Sequence, residues 1–290
     1  MTILRVGPVE IARVEELRIP NTISYFTSDE ALIERNRSWL APHFLNEDNR
    51  FDLVFQSFVF EVEGKVVLVD PCTGNGKPHP VPQFDMLDVP WLERLDAAGY
   101  RREDIDIVMC THLHHDHCGW NTMLRDGRWV PTFPNARYLM SRTEIERWDP
   151  RRPGHHPVSY NVDVFERSVL PVVEAGLVEV HDGSLHLGEC LEVLPAPGHT
   201  LGHCWLQVMA DDACALFSGD TFHHPLQLVD PTMQFGGGDD LALAIVSRQR
   251  LIELAALRDA LIIPAHLPWP HGIKVRLEHG HPVFTAGSGT

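Results

Sequence analysis

The sequence predicts a layered α/β fold, and three observations carry the prediction. Short apolar runs rich in β-branched residues recur at 54–62, 66–69, 105–110, 191–194, 204–209, 213–217 and 261–263, each bounded by turn residues. Segments with helical spacing lie between them, at 90–99, 161–175 and 239–257. Several of the runs end in a histidine or an aspartate, as expected where strand ends converge on one edge to build a site.

At 290 residues with 44% hydrophobic content, the chain can bury a substantial core, and a single domain over 1–290 is expected. It carries an N-terminal arm (about 1–50) and an insertion (about 120–160). Lys and Arg total 24 against 40 Asp and Glu, so a formal charge of −16 disfavours a nucleic-acid backbone or an anionic membrane surface as principal partner. Six cysteines are scattered without a CxxC pair, several inside apolar runs, which points to a reduced, cytoplasmic protein. Neither a cleavable leader nor an 18-residue apolar run is present, so neither export nor membrane insertion is expected. Ala286 to Thr290 reads as a flexible tail.

Taken in order, Ser28 to Leu40 reads as a helix capped by Ser28 or Asp29, with Ala31, Leu32 and Trp39 turned inward. The arm around it either packs over the site or makes a dimer contact. Val54–Val62 and Val66–Val69 form a hairpin about Glu63-Gly64-Lys65 that ends at Asp70. Residues 75–90, with Pro78, Pro80, Pro82 and Pro90, form a loop, and 90–99 a helix closed by Gly99. Within 120–160 a strand at 136–140 and a helix at 141–148 interrupt a stretch that is either a lid or a solvated surface loop. Asn161 to Ala175 reads as an amphipathic helix with Val162, Phe165, Val169, Val172 and Val173 inward. Asp239 to Leu257 is the clearest helix, with Leu241, Ile245, Leu251, Ile252 and Leu254 apolar.

The chemistry is concentrated in Thr111-His112-Leu113-His114-His115-Asp116-His117-Cys118-Gly119, four imidazoles and a carboxylate directly after the 105–110 strand. If the backbone stays extended through Leu113, the side chains of His112 and His114 point the same way and can grip one ion. Asp116 and His117 follow on the turn and can reach a second. Imidazole nitrogen and carboxylate oxygen suit zinc or a similar first-row metal, and the lack of a thiolate pair argues against a closed structural site. His199 on the turn after 191–194 supplies a third imidazole. Asp220 ends the 213–217 strand and can bridge two cations, one oxygen to each, while His266 follows the 261–263 strand. Asp70 either orients a metal-bound histidine or is an ordinary Asp-Pro turn.

His112-x-His114-x-Asp116-His117, Pro197-Gly198-His199-Thr200, Ser218-Gly219-Asp220-Thr221 and Pro264-Ala265-His266, taken together, resemble the metallo-β-lactamase superfamily over roughly residues 50–270. The resemblance implies an αββα four-layer sandwich with two metal ions. It assigns His112, His114 and His199 to one ion, Asp116, His117 and His266 to the other, and Asp220 to the bridge. The ions implied are divalent, zinc first, with manganese, cobalt or iron also compatible. The commonest β-lactamases carry cysteine where this chain has Asp220, so the Asp-bridged branches fit better: glyoxalase II, acyl-homoserine lactonases and methyl parathion hydrolase-like enzymes. Asp220-Thr-Phe-His223 and Ala265-His266-Leu-Pro-Trp-Pro look most like the last group, and His223 stands where homoserine lactonases usually place a tyrosine.

The expected activity is hydrolysis of a small ester or lactone, with phosphotriesters in range, by a metal-bridging hydroxide formed near pH 7. Asp116 would accept or deliver the proton, and His223 would either hydrogen-bond substrate or serve as a buried structural residue. Trp120, Trp148, Phe222 and Trp269 adjoin the motifs or the insertion and suggest an apolar, uncharged small-molecule substrate. No Lys or Arg cluster flanks the motifs to capture a large anionic thioester. A glyoxalase II-like thioesterase and an iron-dependent redox member of the superfamily are the alternatives. No nucleic acid or membrane partner is expected; a homodimer is compatible with the arm.

Overall fold

The hairpin expected before Asp70 forms from Arg50–Val62 and Lys65–Val69, in antiparallel register from Phe58↔Val69 to Val62↔Lys65. Glu63 and Gly64 at its tip both take positive φ, 51° and 66°, the backbone twist that two-residue hairpin turns require. Lys65–Val69 then pairs in parallel with Ile107–Met109, which pairs in parallel with Arg137–Ser141, itself parallel to Val178–His181. Val67–Val69, Ile107–Met109 and Tyr138–Ser141 are buried on both faces, and the first two read as unbroken Val, Leu, Ile and Met rather than as an alternation.

The structure is a computed structural model that describes residues 3–153, 155–236 and 238–287. Its contacts fall into two compact units, one of residues 1–3, 11–16 and 55–185, the other of 4–10, 17–54 and 186–290. The first is organised on the parallel strands just described, over a core that includes Trp91, Phe133, Tyr138 and Met140. The second is built on a seven-stranded sheet in the order Leu185–His186, Leu191–Pro195, Cys204–Ala210, Ala213–Gly219, Leu261–Pro264, Gly272–Glu278, His281–Gly287. Within it Leu191–Pro195 and Ala213–Gly219 both run antiparallel to Cys204–Ala210, and Leu261–Pro264 runs parallel to Ala213–Gly219. Three strands therefore deliver their C-terminal ends, and His199, Asp220 and His266 beyond them, to one edge.

Several local expectations change. The helix of the arm runs Glu30–Leu40, capped by the Asp29 carboxylate accepting from the Leu32 N–H at 3.0 Å. Its buried residues are Ile33 and Leu40; Ala31 is exposed and Leu32 and Trp39 are only half-buried, because starting at Glu30 turns the 33/40 pair inward. Before it lies a 14-residue strand, Val9–Thr22, whose alternation of buried and exposed side chains the charged residues of 10–18 obscure in sequence. The single helix expected at 161–175 is broken into a 3-10 turn Ser159–Asn161, a π-turn Phe165–Val169 and a short α-helix Leu170–Glu174. Asp163 takes φ 57°, outside the helical region, and Pro171 lacks the N–H that a continuous helix would use. Val162 and Val173 are accordingly exposed, while Phe165, Val169 and Val172 are buried.

The helix Leu241–Leu257 is capped by Asp240 and buries Ala244, Arg248, Leu251, Ile252 and Ala255, at i, i+4, i+7, i+8 and i+11. Leu241, the first residue of the helix, is exposed. Within 120–160 the chain forms a hairpin, Thr122–Arg125 with Arg128–Pro131, the sheet strand Arg137–Ser141 and the helix Arg142–Trp148; Gly154 of the loop that follows lies outside the described residues. At the C-terminus Ala286 and Gly287 belong to a strand rather than to a flexible tail, and residues 288–290 lie outside the described residues.

Gly119 shows how tightly the first unit closes around its histidine motif. A Cβ there would sit 1.8 Å from the Thr73 carbonyl oxygen, although Gly119 has an ordinary φ of −62°. The close approach lets the Gly119 N–H donate to Cys72 O at 2.6 Å and the Trp120 N–H to Pro71 O at 2.7 Å. Gly119→Ala should therefore cost about 3 kcal/mol or more in chemical denaturation. Gly64→Ala, where φ is positive but no atom lies within 4 Å, should cost only about 1 kcal/mol. Equal losses at the two positions would mean that conformation, not overlap, governs Gly119.

Candidate metal centre

In the first unit the parallel strands Lys65–Val69 and Ile107–Met109 end side by side at Asp70 and Thr111. Asp70 adopts φ 50°, a conformation of order 1 kcal/mol or more above the usual regions for a non-glycine residue. The Ser57 hydroxyl, donating to Asp70 O at 2.6 Å, helps hold it there. Its carboxylate accepts from the Thr111 N–H at 2.8 Å and from the Thr111 hydroxyl at 2.9 Å, and faces His117 Nδ1 at 3.0 Å. Of the two readings of Asp70, the structure gives it a contact to a histidine of the motif. A carboxylate in this position fixes the proton on Nδ1 and turns the Nε2 lone pair of His117 outward. The Thr111 hydroxyl, already donating to Asp70, is left to accept from His112 Nδ1 at 3.1 Å, which makes His112 Nε2 an electron-pair donor as well.

His112 Nε2 and His114 Nδ1 lie 3.0 Å apart, side by side as expected for residues flanking an extended Leu113. The buried Glu144 carboxylate accepts from the Leu113 N–H at 2.9 Å and from the Trp148 indole at 3.0 Å. Asn161 donates to the Leu113 carbonyl at 3.0 Å. Both backbone groups between the two histidines are thus held by side chains. Asp116 and His117 occupy the short helix His115–Cys118, with Asp116 Oδ2 3.6 Å from His117 Nε2. Beneath the motif, Glu16 accepts from the Thr73 and Gly74 N–H groups at 2.9 Å and from the Trp120 indole at 2.7 Å. Burial pushes its carboxyl above the ordinary range, while these donors favour the ionised form.

In the second unit Asp220 is the hub. Its Oδ2 lies 2.9 Å from His223 Nε2 and 3.3 Å from His199 Nε2, and its Oδ1 lies 3.0 Å from His266 Nε2. The two oxygens of one buried carboxylate therefore face different imidazoles, the arrangement a shared ligand requires. His266 Nδ1 lies 3.1 Å from Val54 O; a carbonyl only accepts, so Nδ1 carries the proton and Nε2 offers its lone pair. The Asp220 N–H donates to His203 Nε2 at 3.1 Å. Asp220, His223 and His266 are all buried, and one ligand atom from each falls within 4.8 Å of the others, close enough to hold a single cation.

The backbone around this hub is shaped for it. Gly198 takes φ 142°, and a Cβ there would lie 2.2 Å from the Ala244 nitrogen, so the turn carrying His199 sits directly on the start of the Leu241–Leu257 helix. Gly198 O and His199 O accept from the N–H groups of Asp240 and Asp239 at 3.0 Å. Arg248 on that helix is buried and donates to Thr221 O at 2.8 Å, Pro231 O at 2.7 Å and Met233 O at 2.6 Å, fixing the loop after Asp220. Burial lowers its guanidinium to about 10. Burial likewise lowers the His223 imidazole against the opposing pull of Asp220, which favours a neutral, ligand-competent ring.

The aromatic residues expected to meet substrate divide. Trp148 lies edge-on to His114 at 5.4 Å between ring centroids, and Trp269 is 46% exposed. Trp120 and Phe222 pack into the core. Trp120 stacks on Trp91 at 5.2 Å and spends its indole N–H on Glu16, and Phe222 is fully buried. His223, expected to meet substrate or to be structural, is buried, with its Nε2 2.9 Å from Asp220 Oδ2. Glu16, Glu144, Asn161 and His203 were not singled out in the sequence. The available signals are faint: Glu16 occupies an inward position of an alternating strand, and Glu144 shares a helix face with Trp148 four residues on.

Glu144→Ala should remove the acceptor for two buried donors and cost roughly 2–5 kcal/mol of stability. Glu144→Gln, which keeps an acceptor of the same shape, should cost less than half as much. Urea denaturation of both variants compares them; equal losses would show that packing rather than hydrogen bonding fixes Leu113.

Known proteins with related sequences and folds place this architecture. An N-acyl homoserine lactonase of Bacillus cereus is 23% identical over 186 residues, covering 64% of this chain, and the chain spans 65% of that relative's length. An N-acyl homoserine lactonase of Bacillus thuringiensis is 23% identical over 172 residues, 59% of this chain and 60% of its own. Among solved structures, the hydrolase AbOPH of the beta lactamase superfamily superposes with a TM-score of 0.79 at 21% identity, over 100% of this chain and 98% of its own. AidC, a dizinc quorum-quenching lactonase in complex with a product, superposes with a TM-score of 0.74 at 20% identity over the same shares. These likenesses establish the fold that the sequence motifs implied. The family model of the metallo-beta-lactamase superfamily matches residues 54–266, and the chain belongs to that superfamily.

Proposed function

We propose that the protein is a dinuclear metal-dependent hydrolase of small, uncharged lactones or esters. The observation that carries this reading is Asp220, a buried carboxylate whose two oxygens face three imidazoles. In the ligand set proposed, His112, His114 and His199 hold one ion, Asp116, His117 and His266 the other, and Asp220 is shared. Two divalent ions there, zinc first, would supply hydroxide near neutral pH and polarise the scissile carbonyl.

The rest of the chemistry belongs to the side chains. Asp116, with 12% of its side chain exposed, is the group placed to take the proton released as water attacks and to return it to the leaving oxygen. Asp70, Thr111 and Val54 O keep the imidazole protons on the far nitrogens, so that His117, His112 and His266 act as donors. Tyr160, half-buried and edge-on to His114 at 5.3 Å, gives the site an aromatic side suited to an apolar acyl or ring substituent, with the buried Trp148 also edge-on to the same imidazole. The named lactonase relatives support lactones as the first substrates to try.

No helix among the described residues is long and apolar enough to cross a membrane. The six cysteines stand as thiols rather than in disulfides, which supports a reducing, cytoplasmic setting. We read the whole chain as one functional domain and the protein as a homodimer.

Elemental analysis of protein reconstituted with zinc, manganese or cobalt should find about two ions per chain. Saturation at one ion would remove the dinuclear reading. Asp116→Asn should lower kcat by about a hundredfold or more, and metal content measured in parallel separates a lost proton carrier from a lost ligand. Normal turnover at full occupancy would take Asp116 out of the mechanism.

In kcat/KM, lactones and aryl esters should exceed glutathione thioesters by tenfold or more, a barrier difference of about 1.4 kcal/mol. A better thioester would move the assignment to glyoxalase II-like chemistry.

A further inference from the structure

Away from the histidine motif, the first unit presents an apolar groove that the proposed hydrolysis does not use. Met86, Val89, Leu92, Met123 and Leu124 line it above the buried Trp120. Met86 is 56% exposed and Leu124 52%, adjacent members of one patch rather than scattered surface residues. Leu124 lies on the Thr122–Arg125/Arg128–Pro131 hairpin, a two-stranded sheet that pairs with no other strand among the described residues. The hairpin is held to the 165–174 segment, the Thr122 hydroxyl donating to Arg167 O at 2.5 Å, and it leaves Leu124 exposed on the groove side.

The charges flanking the patch identify what covers it. Asp88 and Glu93 line the groove from the loop and helix side, while Arg125 and Arg128 face each other at the hairpin tip beside Leu124. None of the four makes an ion pair within the chain among the described residues. A partner of one charge sign would satisfy one flank and be repelled by the other. A copy of the same surface, turned about a twofold axis through the apolar centre, sets the acidic flank of each protomer against the basic flank of the other. In a chain of net charge −16, such local cancellation is also what allows two copies to approach.

We propose that the Met86/Leu124 groove is the contact face between two copies of this chain, with Met86 and Leu124 at its centre and Arg125 and Arg128 of each protomer paired with Asp88 and Glu93 of its partner. The proposal rests on the homodimer reading above and gives it a surface. Two methionines and a leucine at the centre supply adaptable apolar contact, and the four charges fix the register.

Sedimentation velocity on the full-length protein across a concentration series tests it. The wild type should be a dimer, and Leu124→Asp should raise the dimer Kd by about thirtyfold or more, as expected for a charge placed at an interface centre. The double variants R125E/R128E and D88K/E93K should each weaken self-association by about tenfold or more, through like-charge repulsion at both flanks. An equimolar mixture of the two should recover wild-type affinity, because both flanks of the mixed dimer then pair opposite charges, an outcome that misfolding cannot mimic. A dimer that all three variants leave intact overturns this surface while the homodimer reading stands. Failure of the mixture to recover affinity overturns the charge pairing. A wild type that stays monomeric overturns both and leaves the groove to a different occupant.

Discussion

A carboxylate sealed away from water among imidazoles is the constraint on which the second unit depends. Asp220 is 3% exposed, and a buried anion with nothing to neutralise it would cost several kcal/mol. Its surroundings are arranged in layers: three imidazole nitrogens around the oxygens, where a shared cation would offset the charge, His203 beneath the backbone N–H, and the Arg248 guanidinium pinning the loop beyond. The bulged register between Phe217 and Gly219 is part of the same solution, since it turns the chain at the strand end where Asp220 must leave the ladder. Asp70 has the corresponding position in the first unit. It is held in an unfavourable backbone conformation by Ser57 and rewarded by Thr111 and His117.

How much of this could be read from sequence follows from which signals are local. The hairpin before Asp70, the strand before His112, the strands expected at 204–209 and 213–217 and the long C-terminal helix are written in local periodicity and turn residues, and they form where expected. So are the strand-end positions of His199, Asp220 and His266. What escaped depends on partners distant in the chain. Glu16 meets Thr73 and Trp120 across separations of 57 and 104 residues, so nothing near Glu16 announces a buried carboxylate. Trp120 and Phe222 adjoin the motifs in sequence, yet face the core, because proximity along a chain does not set the side of the sheet on which a side chain falls. The break at Asp163 is a backbone event that apolar spacing cannot report.

Membership of the superfamily accounts for the order of the motifs and for the fold. Relatives at 23% identity leave the groups that position the histidines to be read from this chain alone. Here they are carbonyls, hydroxyls and carboxylates from separate strands and helices, each touching a histidine or the backbone beside one. A site supported in this way is sensitive to substitutions that never touch an ion, because each support defines which nitrogen of a ring carries its proton.

Leu113 offers one more consequence. With its N–H held by Glu144 and its carbonyl by Asn161, the peptide units joining His112 to His114 have little freedom left to contract or spread. The spacing of those two donors is then a property of the scaffold rather than of whatever ion arrives. In the site proposed above, ions that accept that separation would bind without remodelling the loop, and little ordering entropy would be lost on loading. Ions needing a wider, higher-coordinate shell would have to distort backbone that is already fully hydrogen-bonded. Discrimination among cations of equal charge can thus reside in a leucine whose side chain never meets the metal.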